Sequence, residues 1–318
     1  MPRALVATEM ELEYDTFGSS ADPALLLIMG LTAQMTAWDE RLCQQWADAG
    51  RFVIRFDNRD CGLSTKLDGQ VPDIAGAMMA AFADLPAPPL PYTLSDMAAD
   101  AVGLLDHLGI DKAHIVGASL GGMIAQVLAV EHPHRVISLT SMMSQPGDPE
   151  AGQPTPEAAL AIFSPPPNTR EEYIESAANW MVWQSKRYGD LTRLRELAGR
   201  EFDRSFYPEG GPRQIAAIYG SGRRTEALKQ LDVPTLVIHG RDDTLITPSG
   251  GFLTAELIPG AHLLYLADMG HDLPEPLWPM IVNAILTHTS VAASTNGMSK
   301  NGMSPNGMSP HGATRASR

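Results

Sequence analysis

The chain has 318 residues, 44% of them hydrophobic, which suits one compact domain with an insertion better than two full domains. Its net charge is −14, and the only charged residues after 288 are Lys300, Arg315 and Arg318, so the body is more acidic still; such a body is repelled by phosphate backbones, which argues against nucleic acid as a partner. Two cysteines, Cys43 and Cys61, are too few for a disulfide scaffold, although a bridge between them stays open. The N-terminal MPRALVATEMELEYDTFG carries acids where a signal peptide needs an apolar run. No apolar stretch reaches the ~18–20 residues of a membrane span, so no integral membrane segment and a cytoplasmic location are expected.

In chain order, the alternating stretches 3–8 and 11–16 fit an antiparallel edge hairpin. Continuous apolar runs follow at 24–29, 52–56, 113–118, 136–143, 234–239 and 262–266, a pattern that predicts parallel strands buried on both faces. Helical periodicity lies between them. Residues 93–108 open with Thr93 or Ser95 as N-cap, and 120–131 and 275–288 also read as helices. Strands alternating with helices mean α/β layering. Two stretches break the alternation. Residues 68–92 are rich in Pro and Ala around IAGAMMAAF, and 144–231 hold SPPPN and helix-like pieces without a buried strand. The expected organisation is a core of 1–143 and 232–289 and a helical cap at 144–231. A low-complexity disordered tail at 290–318 completes it, with N-G-M-S starting at 296, 301 and 306.

Gly117-Ala118-Ser119-Leu120-Gly121 matches G-x-S-x-G between a strand-like and a helix-like run. There Ser119 would sit on a strained turn, with glycines where side chains would clash and a helix N-terminus beneath a developing oxyanion. A serine nucleophile needs a base, and the base needs an orienting acid, in the order Ser, acid, His. His271, in D-M-G-H-D-L after the last strand-like run, is the expected base. His239 and His262 lie inside strand-like runs and read as packed; His132 and His134 read as surface residues, and His288 and His311 as terminal. H-G-R-D-D-T offers Asp243 as the acid, with Asp242 as the alternative register. Backbone donors for an oxyanion are expected from Leu120, directly after the nucleophile, and from Leu31 in I-M-G-L-T, where Gly30 permits close approach.

The motifs L-L-L-I-M-G, I-R-F-D-N-R-D-C-G-L-S, V-G-A-S-L-G-G, T-L-V-I-H-G-R-D-D and M-G-H-D-L-P, in this order over residues 10–288, resemble the α/β-hydrolases. The similarity is to the group that includes the aclacinomycin methylesterase and related bacterial lipases and esterases. The resemblance implies an eight-stranded, mostly parallel sheet with a helical lid after the sixth strand. Met29-Gly30 stands where many relatives have His-Gly, which leaves the backbone donor intact. Asp57, Arg59, Asp60, Gly62 and Ser64 match a family segment read as structural cross-linking near the site. Cys61 is a weak rival nucleophile, having no histidine nearby in sequence.

The resulting expectation is a serine hydrolase cleaving a carboxylic ester or thioester of a hydrophobic small molecule or acyl chain, without metal or cofactor. The same triad serves carbon–carbon bond hydrolysis and peroxidase-like activity, and a non-catalytic ligand receptor on this fold is the competing class. Met29, Trp180 and Trp183 are the expected pocket residues. Tyr173, Met181 and IAGAMMAAF join them if they line the entrance, although helix packing accounts for the same residues.

Overall fold

The structure, a computed structural model, describes residues 2–298. Its strands are β1 (Arg3–Leu5), β2 (Glu11–Phe17), β3 (Ala24–Ile28), β4 (Phe52–Phe56), β5 (Ala113–Ala118), β6 (Val136–Met142), β7 (Thr235–Gly240) and β8 (His262–Leu266). They form one sheet in the order β1-β2-β4-β3-β5-β6-β7-β8. The first two strands make an antiparallel hairpin, β2 pairs antiparallel to β4, and the remaining pairings are parallel.

The helices are α1 (Glu40–Asp48), α2 (Ile74–Ala83), α3 (Leu94–His107), α4 (Leu120–Glu131), α5 (Pro156–Ile162), α6 (Arg170–Ser176), α7 (Leu191–Ser205), α8 (Gly210–Gly220), α9 (Thr225–Leu228), α10 (Pro248–Leu257) and α11 (Trp278–Met298). Alternate side chains of the central strands feed two cores. Leu26, Ile28, Ile54 and Ile115 pack with α3 and α4 on one face. Leu25, Leu27, Val53 and Val116 pack with Trp46 of α1 and Ile281 of α11 on the other. This double burial is why the strands read as continuous apolar runs. Thr93 caps α3 through a reciprocal box with Asp96.

The helices α5 to α9 lie between β6 and β7, and α8 packs on α2 of the Pro/Ala-rich excursion. Three-residue and four-residue spacing gives α7 an apolar stripe, and Leu194 and Ala198 pack there with Tyr173, Ile174, Trp180 and Met181.

Two expectations need correction. The run 262–266 is not buried on both faces: β8 is the edge of the sheet, and His262, Leu263 and Tyr265 are exposed, because no further strand covers that side. His262 is therefore not a packed residue. The boundary expected at 290 falls inside α11, because Thr289 and Ala292 find buried places and the Arg51 guanidinium donates to Thr289 Oγ1 and Ser290 Oγ at 3.0 Å. Two of the three N-G-M-S copies lie outside the described residues. No helix among those described is long and apolar enough to cross a membrane.

Candidate active site

The strand β5 delivers Ser119 to the C-terminal edge of the sheet, and α4 starts at the next residue. Ser119 has φ 59° and ψ −122°, a conformation costly for any residue with a Cβ. Two glycines permit it. A Cβ on Gly117 would lie 2.1 Å from the Gly121 carbonyl oxygen, and one on Gly121 would lie 2.0 Å from that of Ile28. The chain is thus drawn tight around the serine, with the unsatisfied first-turn N–H groups of α4, Leu120 among them, directly after it.

The loop after β3 passes just as close. A Cβ on Gly30 would sit 3.0 Å from Ser119 Cβ and 3.4 Å from its Oγ. Asn58 Nδ2 donates to the Met29 carbonyl at 2.8 Å, and the Thr32 N–H donates to Gln214 Oε1 at 2.8 Å. These bonds fix the segment carrying Leu31 from both ends.

His271 follows β8. Its Nδ1 donates to Asp243 Oδ2 at 2.8 Å, which leaves Nε2 as the acceptor on the opposite side of the ring. The other Asp243 oxygen accepts from the Leu245 and Ile246 N–H groups, both at 2.9 Å. Burial pushes this carboxyl up, but the charge of His271 and hydrogen bonds from His239 and His271 outweigh it and hold Asp243 below its ordinary range. His239 is fully buried beside it, with Nε2 3.4 Å from Asp243 Oδ2 and 2.8 Å from the Ile246 carbonyl. Asp242, the alternative acid, points elsewhere: it receives the Lys186 main-chain N–H and lies 3.7 Å from Lys186 Nζ.

A cavity of about 530 Å³ opens over these groups. Ser119, His271, Leu31, Leu120, Met29, Trp180 and Trp183 all line it. Tyr173 does so too, whereas Met181 stays in the helix packing and the IAGAMMAAF helix lies outside the lining. Sequence reasoning missed three lining acids on the inserted segment and the His271 loop, Asp190, Glu201 and Asp272. Helical spacing from Leu194 and Leu197 was the available signal for Glu201.

The Asp57–Ser64 segment braces the floor. Arg59 pairs with Asp100 of α3 at 2.6 Å, Asp60 with Arg213 of α8 at 2.8 Å, and Asp57 with Arg204 of α7 at 2.8 Å. Asp57 also accepts the Met35 N–H at 2.7 Å. One loop therefore ties α3, α7, α8 and the segment after β3 together. Cys43 and Cys61 are unbridged and buried, and burial pushes both thiols up, so neither offers a ready thiolate.

A mostly parallel sheet in this strand order, carrying its serine on the β5–α4 turn, is the architecture of an α/β hydrolase. The chain belongs to that family: the model of the alpha/beta hydrolase fold matches residues 23–275. The protein is accordingly a hydrolytic enzyme. It is 29% identical over 317 residues to the rhodomycin D methylesterase DauP of Streptomyces sp. (strain C5), covering 91% of this chain and 98% of that one. It is 27% identical to a 2-hydroxy-6-oxononadienedioate/2-hydroxy-6-oxononatrienedioate hydrolase of Burkholderia vietnamiensis, covering 83% and 85%. Among solved structures, the esterase RhEst1 from Rhodococcus sp. ECU1013 shares the fold with TM-score 0.69 at 22% identity, covering 91% of this chain and 98% of that one. The enol-lactonase from Burkholderia xenovorans LB400 does so with TM-score 0.66 at 22% identity, covering 91% and 100%.

Proposed function

We propose that the protein is a serine esterase that cleaves a carboxylic ester of a bulky, largely apolar small molecule, with Ser119 as nucleophile. The observation that carries this reading is the strained Ser119 turn opening into the same cavity as His271, whose Nδ1 is held by Asp243. In this mechanism His271 Nε2 takes the Ser119 proton as Oγ attacks the ester carbonyl. The Leu31 and Leu120 N–H groups hold the oxyanion, and Asp243 stabilises the imidazolium. Collapse expels the alcohol, which takes the proton from His271 and leaves an acyl-serine. Water, deprotonated by His271, then attacks the acyl carbon and releases the acid and free Ser119. Residues 144–231 act as a cap that selects the substrate, with Met29, Trp180 and Trp183 shaping the pocket.

The long match to the rhodomycin D methylesterase DauP supports a methyl ester as the scissile group. A carbon–carbon bond hydrolase is the second reading, favoured by the match to the Burkholderia vietnamiensis enzyme. A dioate substrate needs cationic partners. Among the described residues the cavity is lined by one arginine or lysine, Arg193, which faces Asp39 at 3.4 Å and Glu275 at 3.8 Å. This favours the ester. A fluorophosphonate should label the protein once, at Ser119, and Ser119→Ala should lose labelling together with turnover of methyl and p-nitrophenyl esters. Labelling that persists in the alanine variant would falsify the assignment.

A further inference from the structure

One carboxyl in the cavity has no task in this mechanism. Glu201 lies on α7, where Leu194, Leu197 and Glu201 follow at helical spacing and all line the cavity. It is 8% exposed. One donor reaches it, the main-chain N–H of Gln34, whereas an ionised carboxylate offers about four acceptor sites. No ion pair to it forms among the described residues. Arg204 on the same helix gives its Nη1 to Asp57 and to Gln34 Oε1, while its buried Nη2 reaches no hydrogen-bond partner, Glu201 included, and Arg200 is exposed. The other two lining carboxylates are occupied differently: Asp190 accepts the Thr192 and Arg193 N–H groups at the start of α7, and Asp272 accepts those of Gly270 and Ser185. Glu201 is thus a buried acid, short of partners, facing the space where the substrate binds.

Its surroundings say what would complete it. Tyr173 of α6 lies near enough to feel its charge, and Tyr173 and Trp180, rings 5.6 Å apart, both line the cavity. A buried carboxylate beside aromatic rings attracts an organic cation by charge and by the ring quadrupoles together. A hydroxyl would use only the carboxylate.

We infer that Glu201, with Tyr173 and Trp180, forms a subsite for a positively charged amine, so that the preferred esters carry an ammonium group away from the reacting carbonyl. This rests on the esterase reading above and names its substrate class. The groups facing Glu201 are Asp57 and Cys61 from the segment after β4, Tyr173 from α6, and Arg200 and Arg204 from its own helix. Burial, with the Gln34 N–H opposing it and Asp57 reinforcing it, pushes the Glu201 carboxyl up to about 7. Selection for the cation is therefore strong at alkaline pH and fades as the pH falls through neutrality.

The test uses p-nitrophenyl esters of acids ending in trimethylammonium, whose charge does not titrate, against their tert-butyl isosteres, over a series of acyl lengths. The readout is the ratio of kcat/KM for the two members of each pair, in which any pH effect common to both esters cancels. The wild type should prefer the ammonium ester at least about tenfold at pH 8.5 for the best-fitting length. By pH 5.5 the preference should fall severalfold, since a group titrating near 7 is then only about 3% ionised. In Glu201→Gln the ratio should drop towards one and lose its pH dependence. A wild-type ratio near one at every length, a ratio that does not fall with pH, or a preference kept in Glu201→Gln overturns the subsite. The wild-type pH series decides the matter if the variant fails to fold. Calorimetry with the matching non-hydrolysable ethers separates the two readings. Ammonium-selective binding without ester turnover sinks the esterase and keeps the subsite, and turnover without selectivity does the reverse.

Discussion

The main-chain N–H of His271 donates to the carbonyl of Trp183 at 2.7 Å. The residue proposed as general base thus hangs from the inserted helices as well as from the sheet. Ser185 strengthens the joint: its N–H donates to Asp272 and its hydroxyl to the Asp268 carbonyl at 2.7 Å. Gly270 lets the loop after β8 and the inserted segment meet, since a Cβ there would lie 2.4 Å from the Trp183 carbonyl oxygen. Gly270→Ala should therefore displace His271 and lower kcat at least about tenfold with little change in substrate preference. Unchanged esterase kinetics in a folded Gly270→Ala protein would show that this joint does not position the base.

The two adjacent aspartates should separate cleanly. Asp243 meets His271 and Asp242 meets Lys186. Asp243→Asn should reduce kcat by orders of magnitude through the wrong tautomer, and Asp242→Asn should stay within about tenfold of wild type. Steady-state kinetics of both variants settle it, and the reverse ranking would move the orienting role to Asp242.

Trp180 faces the cavity from the inserted helices. Trp180→Ala should shift discrimination between short and long acyl esters by ~1–3 kcal/mol and act mainly on KM. Fluorophosphonate labelling should keep its rate, because the small probe needs only the serine, its base and the oxyanion donors. Flat selectivity in a stable variant would remove Trp180 from the pocket, and collapsed labelling would place chemistry in the cap.

The C-terminal helix sets where the chain can be shortened. A protein ending at Met298 should keep its melting temperature. One ending at His288 loses Thr289 and buried Ala292 together with the Arg51 contacts, and its Tm should fall by about 3–8 °C. Equal melting of the two truncations, followed by calorimetry, would mean those contacts contribute nothing.

His114 makes stability depend on acid. It is buried in β5, with Nδ1 2.8 Å from Ser138 Oγ of β6, and burial pushes its imidazole down to about 4, helped by Arg51 and His288. An unfolded histidine titrates near 6.5, so below that pH the unfolded chain binds the extra proton. The stability from keeping this ring neutral is complete above about 6.5 and is lost as pH falls towards 4. At its largest it is about 3 kcal/mol. His114→Asn should flatten the fall of unfolding free energy between pH 6.5 and 4, measured by denaturant titration. An unaltered slope would assign the acid sensitivity to other groups.

Much of the fold was legible because its signals are local. Central strands buried on both faces must be apolar throughout, so β3 to β7 stand out as runs, and Gly117 and Gly121 mark the turn they surround. The edge strand β8 escaped that logic: Leu263 and Tyr265 are apolar yet exposed, and position within a sheet is not written in five residues. The end of α11 escaped it too, because Ser, Ala and Thr give no helical periodicity and hold their place through Arg51, 238 residues earlier in the chain than Thr289.

By itself, the sequence determined the strand–helix alternation, the G-x-S-x-G turn at Ser119 and the histidine loop after the last strand, since each depends on the backbone preferences and hydrophobicity of a few neighbouring residues. Only the tertiary structure decided which of two adjacent aspartates reaches His271, that the Trp183 carbonyl holds the His271 backbone, and that Glu201 faces the cavity. The direction of a side chain within a turn, and the groups it meets across more than a hundred residues, are fixed by the packing of the inserted helices against the sheet, where a rotation of one residue exchanges one neighbour for another.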